Sequence, residues 1–106
     1  SVKTVALTYA ARPTRFGGLR IRKGQAISLV DDKHVAAGAT LAEALGKALA
    51  LLDVAHAEAI TVYRGMNVSP VDEEGVEATL HQHTPDAQVE VVDGGQPHYP
   101  FIISVE

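Results

Sequence analysis

Ala59-Ile60-Thr61-Val62-Tyr63-Arg64-Gly65-Met66-Asn67-Val68-Ser69-Pro70-Val71-Asp72-Glu73 opens with a strand and closes with a helix start. Residues 59–63 are β-branched, apolar and aromatic, and Arg64-Gly65 ends the run. Ser69 then stands as a cap, Pro70 takes the first helical position, and Asp72 and Glu73 place acid in the first turn. The spacing predicts a helix to about His83, stopped before Pro85, and a further strand over Val89-Glu90-Val91-Val92. Strand, helix, strand at this spacing is a βαβ crossover, which brings its two strands parallel and right-handed.

Downstream, Asp93-Gly94-Gly95-Gln96-Pro97-His98-Tyr99-Pro100 is dense in turn formers. Its glycines permit positive φ, and its prolines fix φ and remove donors, so it is neither helix nor central strand. Phe101-Ile102-Ile103-Ser104-Val105 then reads as a buried strand, expected to lie antiparallel to its neighbour and to mark a domain edge.

Upstream, Val2 to Tyr9 reads as a strand. Pro13, Gly17, Gly18 and Gly24 give a turn-rich connection around a possible short strand at Leu19-Arg20-Ile21-Arg22. Ala26–Val30 and His34–Gly38 form a hairpin about the polar tip Asp31-Asp32-Lys33. Thr40 and Glu43 make a capping box in which each is expected to serve the other's amide. Leu41, Leu45, Ala48, Leu49 and Leu52 recur behind it at helical spacing, predicting a helix over about 40–55. The expected fold is α/β (α+β): one two-layer domain, residues 1–106, with a mixed sheet, two helices, one crossover and a C-terminal antiparallel strand.

Composition narrows the function. The chain has 106 residues, 46% apolar and 21% charged, which is the soluble globular range. It has no apolar run near the ~18 residues of a membrane span and no leader-like start. Without cysteine it has neither disulfides nor thiolate metal sites, which fits a reducing cytoplasm. The net charge of −4 is uneven: residues 1–53 carry +4 and residues 54–106 carry −8. Five of nine cations, Arg12, Arg15, Arg20, Arg22 and Lys23, fall in one short segment. They read either as a solvated edge that discourages strand pairing or as a patch for an acidic partner. Sparse aromatics and the overall acidity argue against nucleic acid.

No local pattern amounts to an active site. His81 and His83 are two apart and point in different directions on a helix; His34, His56 and His98 are scattered, so no zinc or iron site is expected. None of Ser28, Ser69 and Ser104 lies in a nucleophile elbow. The most site-like turn is Arg64 to Ser69, where Gly65, Asn67 and Ser69 lead from a parallel strand into a helix N-terminus. It offers an anion or phosphate site as an alternative function, although no phosphate-loop spacing is present.

Leu7-Thr8-Tyr9-Ala10, Lys23-Gly24-Gln25-Ala26-Ile27, Asp32-Lys33-His34-Val35-Ala36-Ala37-Gly38, Ile60-Thr61-Val62-Tyr63-Arg64-Gly65 and the tail Asp93 to Pro100 resemble the C-terminal end of bacterial DhaL-domain (YloV-like) proteins. These are the dihydroxyacetone-kinase-like, ATP-binding subunits of fatty acid kinase. The resemblance implies the C-terminal module of a larger kinase subunit. In that family ATP and magnesium bind an N-terminal helical domain, so no cofactor is expected in these residues. The implied partner is a DegV-like acyl-carrier protein, which presents a fatty acid carboxylate for phosphorylation. The resemblance assigns no catalytic residue to this chain. The basic segment 12–23 is the expected partner contact, and Asp93, Gly94, Gly95, Gln96, Pro97, Tyr99 and Pro100 form the loop signature.

Overall fold

The computed structural model describes residues 2–106. In chain order the elements are β1 (Lys3–Tyr9), β2 (Thr14–Phe16), β3 (Leu19–Ile21), β4 (Ala26–Val30), β5 (Lys33–Gly38), α1 (Leu41–Leu51), β6 (Ala59–Arg64), α2 (Pro70–His83), β7 (Gln88–Asp93) and β8 (Phe101–Val105). Six strands make one mixed sheet in the order β5-β4-β1-β8-β6-β7, and β2 and β3 form a separate hairpin. The crossover is as the sequence predicts: β6 and β7 are parallel neighbours, with Val62 opposite Val91. β8 is antiparallel to two strands at once, pairing Ile103 with Val5 of β1 and with Val62 of β6.

Alternation sorts the side chains. Val5 and Leu7 of β1, Ile60 and Val62 of β6, and Phe101, Ile103 and Val105 of β8 point to the helical layer, where all are buried. Leu41, Leu45 and Leu49 of α1 and Val76 and Leu80 of α2 complete that core. Each buried leucine contributes about 1.5–3 kcal/mol over an exposed one. The helices lie close together because small residues meet there: a Cβ on Gly75 would stand 3.1 Å from the Ala42 Cβ.

A second apolar cluster occupies the opposite face of the sheet. Ile27, Leu29 and Ala37 meet Ala10 and Ile21, with Leu19 and Tyr99 packed at its margin. The β2–β3 hairpin therefore covers the β4–β5 end of that face. The sequence shows β3 as a possible strand but not β2, because Thr14-Arg15-Phe16 is exposed throughout and carries no burial pattern.

Two local expectations are corrected. The helix predicted over 40–55 ends at Leu51, and Leu52 turns extended with its N–H on the Leu49 carbonyl at 3.1 Å. That exit lets Val54 and Ala57 enter the core. The capping box forms only in part: Thr40 Oγ1 accepts from the Glu43 amide at 3.1 Å, but the Glu43 carboxylate turns to Lys47 Nζ at 3.5 Å. At the β4–β5 turn, Asp31 and Asp32 both have positive φ (49° and 70°), the two-residue geometry that matches strand twist.

Candidate functional site

Strand order explains the tail loop. β7 ends at Asp93 and β8 begins at Phe101, with β6 lying between them in the sheet. Residues 94–100 must therefore pass over the carboxyl end of β6. The Gly94 and Gly95 amides donate to the Arg64 carbonyl at 2.8 and 2.9 Å, while the Gly65 amide donates to the Pro100 carbonyl at 2.8 Å. The Met66 amide donates to the Gln96 carbonyl at 3.0 Å. The Gln96 side chain lies beneath its own loop, its Nε2 donating to the carbonyls of Tyr63 (2.8 Å) and Tyr99 (3.0 Å). Gly95 has φ +68°, which glycine adopts without strain. Pro97 and Pro100 have no amide that this clasp would leave unpaired. Thr8 Oγ1 donates to the His98 carbonyl at 3.0 Å and ties the loop to β1.

Arg64 sits where clasp and crossover helix meet. Its guanidinium holds Glu73 of α2 at 2.8 Å and Asp93 at the end of β7 at 2.8 Å. Partial burial works against the charged form, but the two carboxylates outweigh it and hold the guanidinium above its ordinary value. Nearby, the Tyr9 hydroxyl donates to Asp72 Oδ2 at 2.7 Å. Burial, the hydrogen bond and the Asp72 charge together push the Tyr9 phenol from 10.0 up to about 12.

The turn proposed for an anion is the segment under this clasp. Gly65 lies beneath the loop, Asn67 has φ +59°, and Ser69 Oγ accepts from the Asp72 amide at 3.0 Å. The Glu73 amide bonds the Ser69 carbonyl at 3.0 Å. The amides of residues 65, 66, 72 and 73 are thus already bonded, and Asp72 and Glu73 bring negative charge to the helix start.

The basic segment presents a different surface. Arg12, Arg15, Arg20, Arg22 and Lys23 are all exposed on or beside the β2–β3 hairpin. Among the described residues none of the five makes a salt bridge. Register sets Arg15 directly opposite Arg20. Like charges placed so are mutually destabilising, so the hairpin concentrates positive charge against its own stability. The hairpin base is fixed to the sheet by two bonds, Ala10 amide to Gln25 carbonyl (2.9 Å) and Gly24 amide to Ala10 carbonyl (2.8 Å).

The structure thus joins Gly65, Asn67 and Ser69 with the Asp93–Pro100 loop in one place, and sets the arginine hairpin apart on the outer face of β4 and β5. The sequence reading missed the Tyr9–Asp72 and Arg64–Glu73 pairs, whose partners are 63 and 9 residues apart. Only the crossover itself, which sets the end of β6 beside the start of α2, could have hinted at the second. Among the described residues no group of three His, Cys, Asp or Glu side chains gathers to hold a metal ion. No described helix is long and apolar enough to cross a membrane.

Residues 1–106 match the family of FakA-like C-terminal domains of fatty acid kinase. Two uncharacterized proteins of Staphylococcus aureus, from strains bovine RF122 / ET3-1 and USA300, are each 34% identical over 110 residues. Those alignments cover 100% of this chain but 19% of either relative, so the chain spans about a fifth of the curated relatives it matches.

Proposed function

The chain belongs to the FakA-like C-terminal family of fatty acid kinase, and from that premise we propose that it is a non-catalytic docking module of a larger, cytoplasmic kinase subunit. It contributes the surface on which a DegV-like acyl-carrier protein presents its fatty acid for ATP-dependent phosphorylation. ATP and magnesium are handled elsewhere in that larger protein. The observation that carries this reading is the exposed arginine hairpin, in which Arg15 faces Arg20 without an acidic partner among the described residues. Such a patch suits an acidic protein surface, steering encounter and setting register. The clasped end of β6 supports the reading from the other side, because its amides and carboxylates are already engaged in holding the loop.

Calorimetric titration of the chain against a lipid-loaded DegV-like protein tests it. Association is expected, and Arg15→Glu, Arg20→Glu and Arg22→Glu together should weaken it about tenfold or more and flatten its salt dependence. No heat at high micromolar concentration overturns the proposal.

A further inference from the structure

The outer edge of β5 is open. β5 is the first strand of the six-stranded sheet, so no strand pairs with that side of its backbone. Its flanking layers nevertheless extend past it. Leu19 of the hairpin on one face, and Ala50, Leu51 and the Lys47 stem of α1 on the other, enclose a groove of about 390 Å³ whose floor is Val35, Ala36 and Ala37. Leu51 is 70% exposed there, an apolar side chain with nothing yet packed on it. The gap lies in the plane of the sheet between two apolar layers, which is where one further strand would be buried on both faces.

The groove continues into a second one of about 430 Å³, which shares Ala37 and Lys47 and is lined by Arg22 and Lys23 at the carboxyl end of β5. Glu43 is the one acid lining either groove among the described residues, and it is paired with Lys47. The edge is guarded as well as open. Lys47 Nζ caps the Ala37 carbonyl at 2.9 Å, and the β4–β5 register shifts after Ser28, leaving Val35 as an extra residue. Bulges and lysines of this kind suppress indiscriminate pairing, so an incoming strand has to bring an acid that engages Lys47.

We propose that this edge receives an extended segment of a partner protein as a seventh strand, antiparallel to β5. The segment places apolar side chains against Leu19 and Leu51, and acidic residues near its amino end against Arg22, Lys23 and Lys47. Main-chain bonds to β5 supply the affinity and the cations set the direction. A second copy of the chain fits poorly: antiparallel self-pairing brings the Arg22, Lys23 and Lys47 end of one edge against Lys33 of the other. The inference goes beyond the docking role proposed above and stands whichever protein the hairpin meets.

The probe is a synthetic peptide of about eight residues, the length of an ordinary strand, alternating valine and threonine behind two amino-terminal glutamates. It is titrated into the isotopically labelled 106-residue chain. Amide shifts confined to residues 33–38 and their neighbours at Leu19 and 47–51 are expected, with slowed hydrogen exchange at β5. Leu51→Lys, at an exposed position that leaves the core untouched, should weaken binding about fivefold or more, as should reversing the two glutamates to lysine. A backbone N-methylated version of the peptide should not bind. The proposal is overturned if the N-methylated peptide binds equally well, if shifts fall elsewhere, or if none appear at millimolar peptide. Concentration-dependent protection of β5 without peptide would also overturn it, by showing that the edge pairs with itself. The assay contains no DegV-like protein, so its outcome is separate from that of the docking test.

Discussion

Gly65 faces the carbonyl oxygen of Tyr99 so closely that no Cβ fits between them. The obstacle is backbone from a loop crossing the end of β6, so it cannot swing aside as a side chain would. Gly65→Ala is expected to destabilise the chain by about 1–3 kcal/mol, the cost of overpacking a fixed site. Urea unfolding of wild type and variant checks this, and an unchanged midpoint would contradict the clasp.

Gln96 joins Tyr63 and Tyr99 through one amide group. Gln96→Ala leaves two carbonyls without their donor, for an expected loss of about 1–3 kcal/mol. Gln96→Glu keeps the shape but replaces the donor with a charge, and is expected to be at least as damaging in the same unfolding experiment.

Tyr9 is one of three tyrosines, and its phenol is held up to about 12. The folded protein binds this proton more tightly than the unfolded chain, so the resulting stability is fully present below pH 10.0 and is lost as pH rises towards 12. Ultraviolet titration of tyrosinate should show one late step, absent in Tyr9→Phe. A late step that survives the substitution would assign it to another residue.

Arg15 and Arg20 oppose each other across the hairpin. Arg15→Thr is expected to stabilise the chain slightly, by about 0.2–1 kcal/mol, because it removes a like-charge pair from a cross-strand position. The same change should slow association with an acidic partner. Thermal melts and stopped-flow binding read the two effects separately, and a variant that loses stability would contradict the repulsion.

The parts of the fold legible in sequence were those with local causes. Ser69-Pro70 announces α2 although that helix buries only Val76 and Leu80, because its start is written in capping chemistry rather than in an apolar stripe. The parallel placement of β6 and β7 follows from chain length and handedness. The position of β8 between β1 and β6 does not, since either flank of the sheet was open to an antiparallel strand. Without that placement, Asp93 to Pro100 shows only as a tight turn. Its purpose, to bridge over β6, comes from strand order. β2 escaped detection because an exposed strand of Thr14, Arg15 and Phe16 leaves no alternation to read. The basic cluster was plain in the sequence, whereas the Arg15–Arg20 opposition needed the hairpin register.

The central position of β8 has a consequence for how the chain acquires its structure. β5-β4-β1 on one side and β6-β7 on the other share no strand pairing except through it. Its partners lie far off in the chain, Lys3 meeting Val105. The two halves therefore become one cooperative unit only at a late, high-entropy closure, which places this domain among slower folders of its size. Once closed, they should open together, with amides of β1 and β6 exchanging at a common rate.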